Sequence, residues 1–200
     1  MVDPQIRWGA SEAAWDHFHK TLGLTADMLP VVSNPEAKIS PTSKMKGLGK
    51  TPSRYNATHH AAGVQEWTKK QATPGEVNAW AKEPDYGICL QTRTVRAIDA
   101  DITDQTLADE IAAVVTQHLG VLPRRQRDGS SKFLVAFTLR GEFYKRVLKT
   151  QHGIIEFLAT GQQFIAAGTH PSGSRYKWKT ALPAKFPEFT SVQFEDLWAD

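Results

Sequence analysis

The stretch Val95–Ile102, with the sequence VRAIDADI, sets two carboxylates into an otherwise apolar run. Side chains of a β-strand alternate between its two faces, so Ile98 and its apolar neighbours point one way while Asp99 and Asp101 point the other. Two carboxylates on one face repel each other and resist burial, and a divalent cation such as Mg²⁺ or Mn²⁺ removes both problems. The pattern therefore predicts a metal-binding pair, or alternatively a strand end whose aspartates cap the next helix.

A third acid favours the metal-binding interpretation. Glu156 is the sole charge in the apolar run IIEFL, and a lone charge in such a strand is normally paired or bound to a metal. Between the acids, the sequence RDGSSK forms a Gly-Ser turn that leads into a strand opening with Lys132, and such a turn offers N–H groups and an ammonium to a phosphate. His170 lies in the polar turn GTHPSG just after a predicted strand, and this turn is also compatible with an ordinary hairpin in which the histidine has no function.

Composition indicates a folded protein of ordinary character. The chain has 200 residues, of which 40% are hydrophobic and 22% charged, so it can bury a core and is not disordered throughout. It has no apolar run of the roughly 18 residues that span a membrane, and no signal-peptide pattern at its start. Cys89 is its single cysteine, which excludes an intramolecular disulfide and a cysteine zinc cluster. We therefore expect a soluble intracellular protein.

Charge is distributed unevenly along the chain. The net charge is only +3, but basic residues concentrate at 38–54, 124–127 and 175–179, with acidic residues in the helix-like segments between them. Basic loops beside acidic helices suit a groove for nucleotides or nucleic acid. In the last cluster, RYKWK, cations alternate with aromatics, which is typical of a phosphate-tracking strand and equally of an edge strand with buried aromatics.

Local patterns predict an α+β fold with a mostly antiparallel sheet and a long loop at 30–60. Caps and apolar spacing predict four helices, and apolar runs between turn signals predict six strands, four of them in two hairpins. The predicted helices are 12–22, 74–82, 104–119 and 142–150; the predicted strands are 86–91 with 95–102, 132–139, 154–158 with 163–167, and 176–179.

In their order and spacing these features resemble the N-terminal primase–polymerase (prim-pol) domain of bifunctional replication proteins from phages and plasmids, within the archaeo-eukaryotic primase superfamily. The resemblance covers roughly residues 45–180. The aspartate pair matches the family's first acidic motif and Glu156 its third, while 160–173 resembles a glycine-aromatic hairpin that ends in Ser-x-His-Pro-Ser-Gly. Residues 49–52 resemble its Gly-Lys-x-Pro motif and 73–80 its Thr-x-x-Glu helix. One position departs: Ser130-Ser131-Lys132 stands where the family has Ser-x-His.

The resemblance implies a fold and a domain plan. We expect an RRM-like antiparallel sheet as the catalytic core, joined to an N-terminal α/β unit. Residues 1–200 would form one catalytic domain, with a helical and loop portion at 1–82, the sheet core at 83–180, and a tail or linker at 181–200 toward a helicase domain or partner. Such proteins work in the cytoplasm of a bacterial or archaeal host and are encoded by a phage or plasmid.

The resemblance also implies template-directed nucleotidyl transfer by a DNA primase or polymerase, acting on a single-stranded DNA template, a primer and nucleoside triphosphates (dNTP or NTP). Two Mg²⁺ or Mn²⁺ ions would be held by Asp99, Asp101 and Glu156. Three further groups of residues are expected at the site. They are Ser130, Lys132, His170, Thr169, Arg125 and Arg127 for the nucleotide, Lys50, Arg175, Lys177 and Lys179 for the template, and Phe164 beside the sugar.

Three other interpretations compete with this one. The sequence GLGKT at 47–51 is similar to a Walker A loop but has Lys44 where that motif needs glycine, and no apolar strand precedes it. His17 and His19 match a motif of nicking endonucleases, yet in a helix positions i and i+2 diverge by about 200° and cannot share an ion. The third is a single-strand-binding module without catalysis, in which the acids are structural.

Overall fold

The computed structural model describes residues 7–200. Their contacts divide them into two compact units: a first unit of residues 7–90 and 164–176, and a second unit of residues 91–163 and 177–200. In chain order the elements are α1 (Glu12–Asp16), β1 (Met28–Val32), β2 (Ser53–Tyr55), β3 (Ala61–Gly63), α2 (Pro74–Trp80), β4 (Tyr86–Gln91), β5 (Val95–Ile102), α3 (Gln105–Leu119), β6 (Arg124–Arg127), β7 (Phe133–Leu139), β8 (Arg146–Thr150), β9 (Gly153–Leu158), β10 (Gln163–Ala167), β11 (Tyr176–Trp178), β12 (Glu188–Phe189) and α4 (Ser191–Ala199).

The first unit contains a small sheet with the strand order β1-β4-β10 and a short ribbon of β2 and β3. Strand β1 runs antiparallel to β4, and all five of its residues are buried. Its apolar side chains account for that burial, because they pack with one another and with β10 in a small core. Buried members of this core are Leu29, Val31, Cys89 and Ile165.

The second unit is built on one large sheet with the strand order β11-β6-β7-β5-β9-β8, and β12 pairs in parallel with β7. The pairs β5–β7, β5–β9, β6–β7 and β8–β9 are antiparallel. Four α-helices within residues 7–200 and this sheet give a mixed α+β protein with a large antiparallel sheet, which confirms the predicted fold class in its coarse form. The acid-bearing strand β5 lies inside the sheet, with neighbours on both sides.

One face of the large sheet packs against α3 and α4, and we call it the helix-covered face. Helix α3 begins after Asp104, whose carboxylate accepts a hydrogen bond from the Leu107 N–H at 2.8 Å and so caps the first turn. Burial of apolar surface here is the main stabilising term of the unit. The core formed there includes Ile98, Ala100, Ile102, Phe133, Val135, Phe137 and Phe157 of the sheet, with Phe194 and Leu197 of α4.

Both predicted hairpins are wrong. Strand β4 belongs to the small sheet and β5 to the large one, and the same division separates β10 from β9. A polar turn between two apolar runs is a local signal, and it is the same whether the two strands pair or enter different sheets.

The predicted helix at 142–150 is also wrong, because β8 pairs there with β9 as an edge strand. Phe143 and Val147 have helical spacing, yet the ladder with β9 satisfies the backbone groups and outweighs that pattern. Within the predicted loop at 30–60 the chain forms β2, which is too short to show a periodicity. It is fixed by tertiary contacts, since the Val32 N–H donates to Ser53 Oγ at 3.0 Å.

Several other local predictions are confirmed. Helix α2 has the predicted capping box of Thr73 and Glu76 with Pro74 in its first turn, and α3 and β7 begin within one residue of their predicted starts. Helix α1 continues as a π-helical turn over His17–Thr21, so the histidine pair is helical and not on a strand. Residues 181–200, expected to be a tail or linker, contain α4. Within residues 7–200 no helix is long and apolar enough to cross a membrane.

Candidate active site

Three carboxylates share the face of the large sheet opposite to the helices, which we call the acidic face. Asp99 on β5 lies directly across from Glu156 on β9, and Asp101 follows two residues later on the same side. Directly opposed residues of an antiparallel pair have Cβ atoms about 5 Å apart. The register of β5 and β9 therefore brings together the aspartate pair and the distant glutamate.

Each acid has a cation close to it. Lys132, at the start of β7, makes an ion pair with Asp101, and Lys145, just before β8, has its Nζ 2.5 Å from Glu156 Oε1. Arg125 on β6 and Asp99 both lie across from the same residue of β7, so the buried guanidinium shares the acidic face with that carboxylate. The site thus interleaves three carboxylates with three cations.

Electrostatics at Asp99 reflect this crowding. Burial raises the pKa of the Asp99 carboxyl, and the neighbouring charges of Asp101 and Glu156 raise it further, while Arg125 and Lys132 act in the opposite direction. Burial penalises the ionised form because the protein interior replaces water around the charge. A divalent cation bound between these oxygens would offset the repulsion.

The turn between β6 and β7 is folded against the end of β5. Ser131 Oγ donates a hydrogen bond to the Ile102 carbonyl oxygen at 2.7 Å, and Ser130 Oγ accepts one from the Lys132 N–H at 3.2 Å. The Gln126 side-chain amide also donates to the Ser130 carbonyl oxygen. These bonds bring Ser130 and Lys132 beside Asp101, and Ser131 is a positioning residue to which the sequence analysis gave no role.

Other basic residues of the second unit are engaged within it. Arg127 is half-buried on β6, close to the turn. Lys177 and Lys179, predicted to contact the template, both bind the exposed Asp128 carboxylate; the Lys179 contact measures 3.0 Å. The alternation predicted for RYKWK is present, since Lys177 and Lys179 are exposed while Trp178 is half-buried.

The remaining predicted site residues lie in the first unit, where hydrogen bonds hold the turn that carries His170. His170 Nδ1 accepts a hydrogen bond from the Ser172 N–H at 3.1 Å, so the other ring nitrogen carries the proton in the neutral form. Gly49 has a φ of +70°, and a Cβ at that position would come within 3.1 Å of Pro171 Cδ. The loop carrying Lys50 therefore lies against the histidine turn, a proximity that the sequence analysis did not predict.

Thr169, Arg175 and Phe164 have structural contacts of their own. Thr169 is buried and its Oγ1 donates to the Trp8 carbonyl oxygen at 2.7 Å. Arg175 donates to the carbonyl oxygens of Arg7 and Gly9 at 2.9 and 2.7 Å. Phe164 is 4% exposed on β10. Their predicted roles toward nucleotide, template and sugar stay predictions.

The acidic face has the chemistry that a divalent cation needs. Its three carboxylates supply hard oxygen ligands, and their mutual repulsion at Asp99 favours a bound positive charge. Among the described residues, no group of three His, Cys, Asp or Glu side chains is already arranged around one metal position. Lysines instead hold two of the acids. Lys145 was missed by the sequence analysis because its segment was predicted to be a helix.

Comparison with known proteins places this arrangement in a family. No curated protein sequence matches the chain significantly. The family model Prim-Pol, described as the N-terminal domain of bifunctional DNA primase/polymerase, matches residues 25–189. That span holds the three acids, the serine turn and the histidine turn, and it suggests a role in DNA replication as a primase or polymerase. Because the match covers well over half of the chain and confirms the predicted resemblance, this chain belongs to the Prim-Pol family of bifunctional DNA primase/polymerase N-terminal domains.

Proposed function

We propose that the chain catalyses template-directed nucleotidyl transfer, adding nucleotides to a DNA strand as a primase, a polymerase or both. The observation that carries this proposal is the set of three carboxylates on one face of the antiparallel sheet, in a chain of the Prim-Pol family. Three cations on the same face support it, because a triphosphate needs positive charge around it. We also propose the RRM-like topology for this sheet and a phage or plasmid replicon as the source.

Asp99, Asp101 and Glu156 would hold two Mg²⁺ or Mn²⁺ ions, which when bound activate a 3′-hydroxyl and stabilise the leaving pyrophosphate. Arg125 keeps Asp99 closer to its ionised form, which is the form that binds a metal. Lys132 and Ser130 sit on the turn beside Asp101, where an ammonium and N–H groups can grip a triphosphate. Catalysis then depends on positioning and electrostatics, to which each carboxylate contributes several kcal/mol.

The other predicted contacts complete the proposal. His170 would donate from Nε2 to a phosphate oxygen, with Thr169 shaping its turn and Arg127 assisting from β6. Template phosphates would meet four basic side chains, and Phe164 would abut the sugar. The proposed template contacts are Lys50, Arg175, Lys177 and Lys179.

Extension of a labelled primer on a single-stranded template tests this function. We expect the wild-type chain to incorporate nucleotides with Mg²⁺ or Mn²⁺, and Asp101→Ala to bind the template while losing synthesis by about 10³-fold. Asp196→Ala, which removes an exposed acid of α4 on the helix-covered side of the sheet, is the matched control and should retain synthesis. A reaction without primer separates de novo priming from extension. Absence of incorporation by the wild type under either metal would contradict the proposal.

A second candidate is a catalytically inactive module that binds single-stranded DNA. The observation that favours it is Lys132, which replaces the family's histidine and neutralises Asp101 by a direct ion pair. This module would bind template equally well in the wild type and in Asp101→Ala, and neither protein would incorporate a nucleotide. The same primer-extension experiment therefore distinguishes the two functions.

A further inference from the structure

Lys145 occupies a position where it must compete with any metal ion for Glu156. Its Nζ is 2.5 Å from Glu156 Oε1, with 39% of the lysine side chain and 21% of the glutamate side chain exposed. The carboxylate cannot keep an ammonium at that distance and also bind a divalent ion without strong like-charge repulsion. Binding of a metal at Glu156 therefore requires the lysine to leave.

The backbone around Lys145 is held while its side chain is free to change partner. Two residues earlier, Phe143 packs edge-on against Phe157 with ring centroids 6.1 Å apart. The next residue, Arg146, reaches to the helix-covered face, where it makes two hydrogen bonds to Glu195 of α4 at 2.8 and 2.5 Å. These anchors keep Lys145 at the acidic face, and its four-carbon stem can carry the ammonium over several ångströms.

We propose that Lys145 is a place-holding cation that neutralises Glu156 in the metal-free protein and, when a divalent ion takes that carboxylate, moves to bind a phosphate of the incoming nucleoside triphosphate. The proposal rests on the proposed function, because it needs a metal and a triphosphate at the acidic face. A phosphate brought to the acidic face beside Glu156 would be within reach of the displaced ammonium, which binds phosphate as a point charge. Metal and nucleotide would thus be coupled through one side chain.

The variant Lys145→Met tests this coupling, because it removes the charge and keeps most of the stem. We expect Mn²⁺, titrated by calorimetry without nucleotide, to bind Lys145→Met about 3- to 10-fold more tightly than wild type, since its competitor is gone. A dNTP titrated at saturating Mn²⁺ should bind about 10-fold more weakly, since one phosphate contact is lost. Lys145→Arg should restore most of the dNTP affinity.

A merely structural ion pair would not move these two affinities in opposite directions. Lys185→Met is the matched control, because Lys185 also makes an ion pair, with Glu188 at 3.5 Å. Glu188 lies beside Thr138, at the opposite end of β7 from Lys132, so the loss of this pair should change neither affinity. Unchanged or weaker Mn²⁺ binding by folded Lys145→Met overturns the inference, as does unchanged dNTP binding. If the wild type extends primers while either of these results holds, the inference alone fails; if the wild type binds no Mn²⁺ and extends nothing, the proposed function fails with it.

Discussion

The two faces of the large sheet are made by the same strands and serve different purposes. On β5, Ile98 and Ala100 join the aromatic core under α3 and α4, while Asp99 and Asp101 between them lie on the acidic face. The helix-covered face gains stability from close aromatic packing. The acidic face crowds three carboxylates together, and the neighbouring cations offset only part of the burial and repulsion at Asp99. A one-residue alternation therefore separates stability from chemistry, and changes on the two faces should have different consequences.

The largest expected effect comes from the helix-covered face. Phe194 of α4 is fully buried, and its ring centroid lies 4.2 Å from that of Phe157. Phe194→Ala should lower the free energy of unfolding by about 3–5 kcal/mol, because it removes apolar contacts and leaves a cavity. Urea unfolding measures this, with Val192→Ala as the control on the same helix, where the side chain is 65% exposed. A loss below about 1 kcal/mol would show that the aromatic cluster does not carry the stability of this face.

The opposite pattern is expected on the acidic face. Glu156→Gln keeps the shape of the side chain and removes its charge, so we expect primer extension to fall on the order of 10²–10³-fold while the protein stays folded. The stability of the variant should stay within about 1 kcal/mol of wild type, because the change relieves repulsion on Asp99 and removes a partly exposed ion pair with Lys145. Thermal unfolding and primer extension on one preparation measure both quantities. Loss of folding together with activity would refute the separation of the two faces.

The face on which each residue of a single strand lies could be predicted from the sequence. The VRAIDADI run showed that two acids share a face, because that inference uses only the period of a strand. The lone charge in IIEFL pointed to the third acid, because an unpaired charge is costly in an apolar strand. The order of motifs then indicated the family. Capping signals were equally local, which is why α2 and α3 could be predicted with nearly correct ends.

Strand partners and register could not be predicted from the sequence, because they depend on residues far apart in the chain. No local pattern indicated that β4 and β5 enter different sheets, or that Arg125 shares the cross-strand row of Asp99. The role of Lys145 was not predicted for a related reason, because its segment has helical spacing but forms an edge strand. The pairing of that strand with β9 directs the side chains of Lys145 and Arg146 to opposite faces of the sheet. The sequence therefore allowed the acids to be predicted, but not most of the contacts that they make with neighbouring cations.

The pH dependence of stability also tests the difference between the two faces, because the upward shift of the Asp99 pKa determines whether stability rises or falls with pH. The folded protein holds this proton more tightly than the unfolded chain, where the carboxyl has a pKa of about 3.9. Asp99 therefore contributes stability below about pH 4 that is lost as the pH rises through its folded pKa. Asp99→Asn avoids the loss, so its stability relative to wild type should increase from pH 4 to pH 7 in urea titrations with EDTA.

The control for this experiment is Asp128→Asn, which should behave in the opposite way. Hydrogen bonds from Lys177 and Lys179 lower the pKa of Asp128, so its contribution is present above the unfolded pKa and lost as the pH falls through the folded one. The stability of Asp128→Asn relative to wild type should therefore decrease as the pH rises toward about 4 and stay nearly level from there to pH 7. Parallel trends for the two variants would contradict the assignment of Asp99 as the crowded acid.

The smallest expected effect tests the link between the β6–β7 turn and the acidic face. Ser131→Ala removes the hydrogen bond to the Ile102 carbonyl oxygen and should cost about 1 kcal/mol of stability. Because Lys132 follows directly, a looser turn should raise the KM for the nucleotide several-fold and leave kcat nearly unchanged. Ser131→Thr, which retains the hydroxyl, should recover both. A fall in kcat with an unchanged KM would instead mean that the serine acts on the chemical step, and the division between a positioning turn and a reacting row of acids would have to be redrawn.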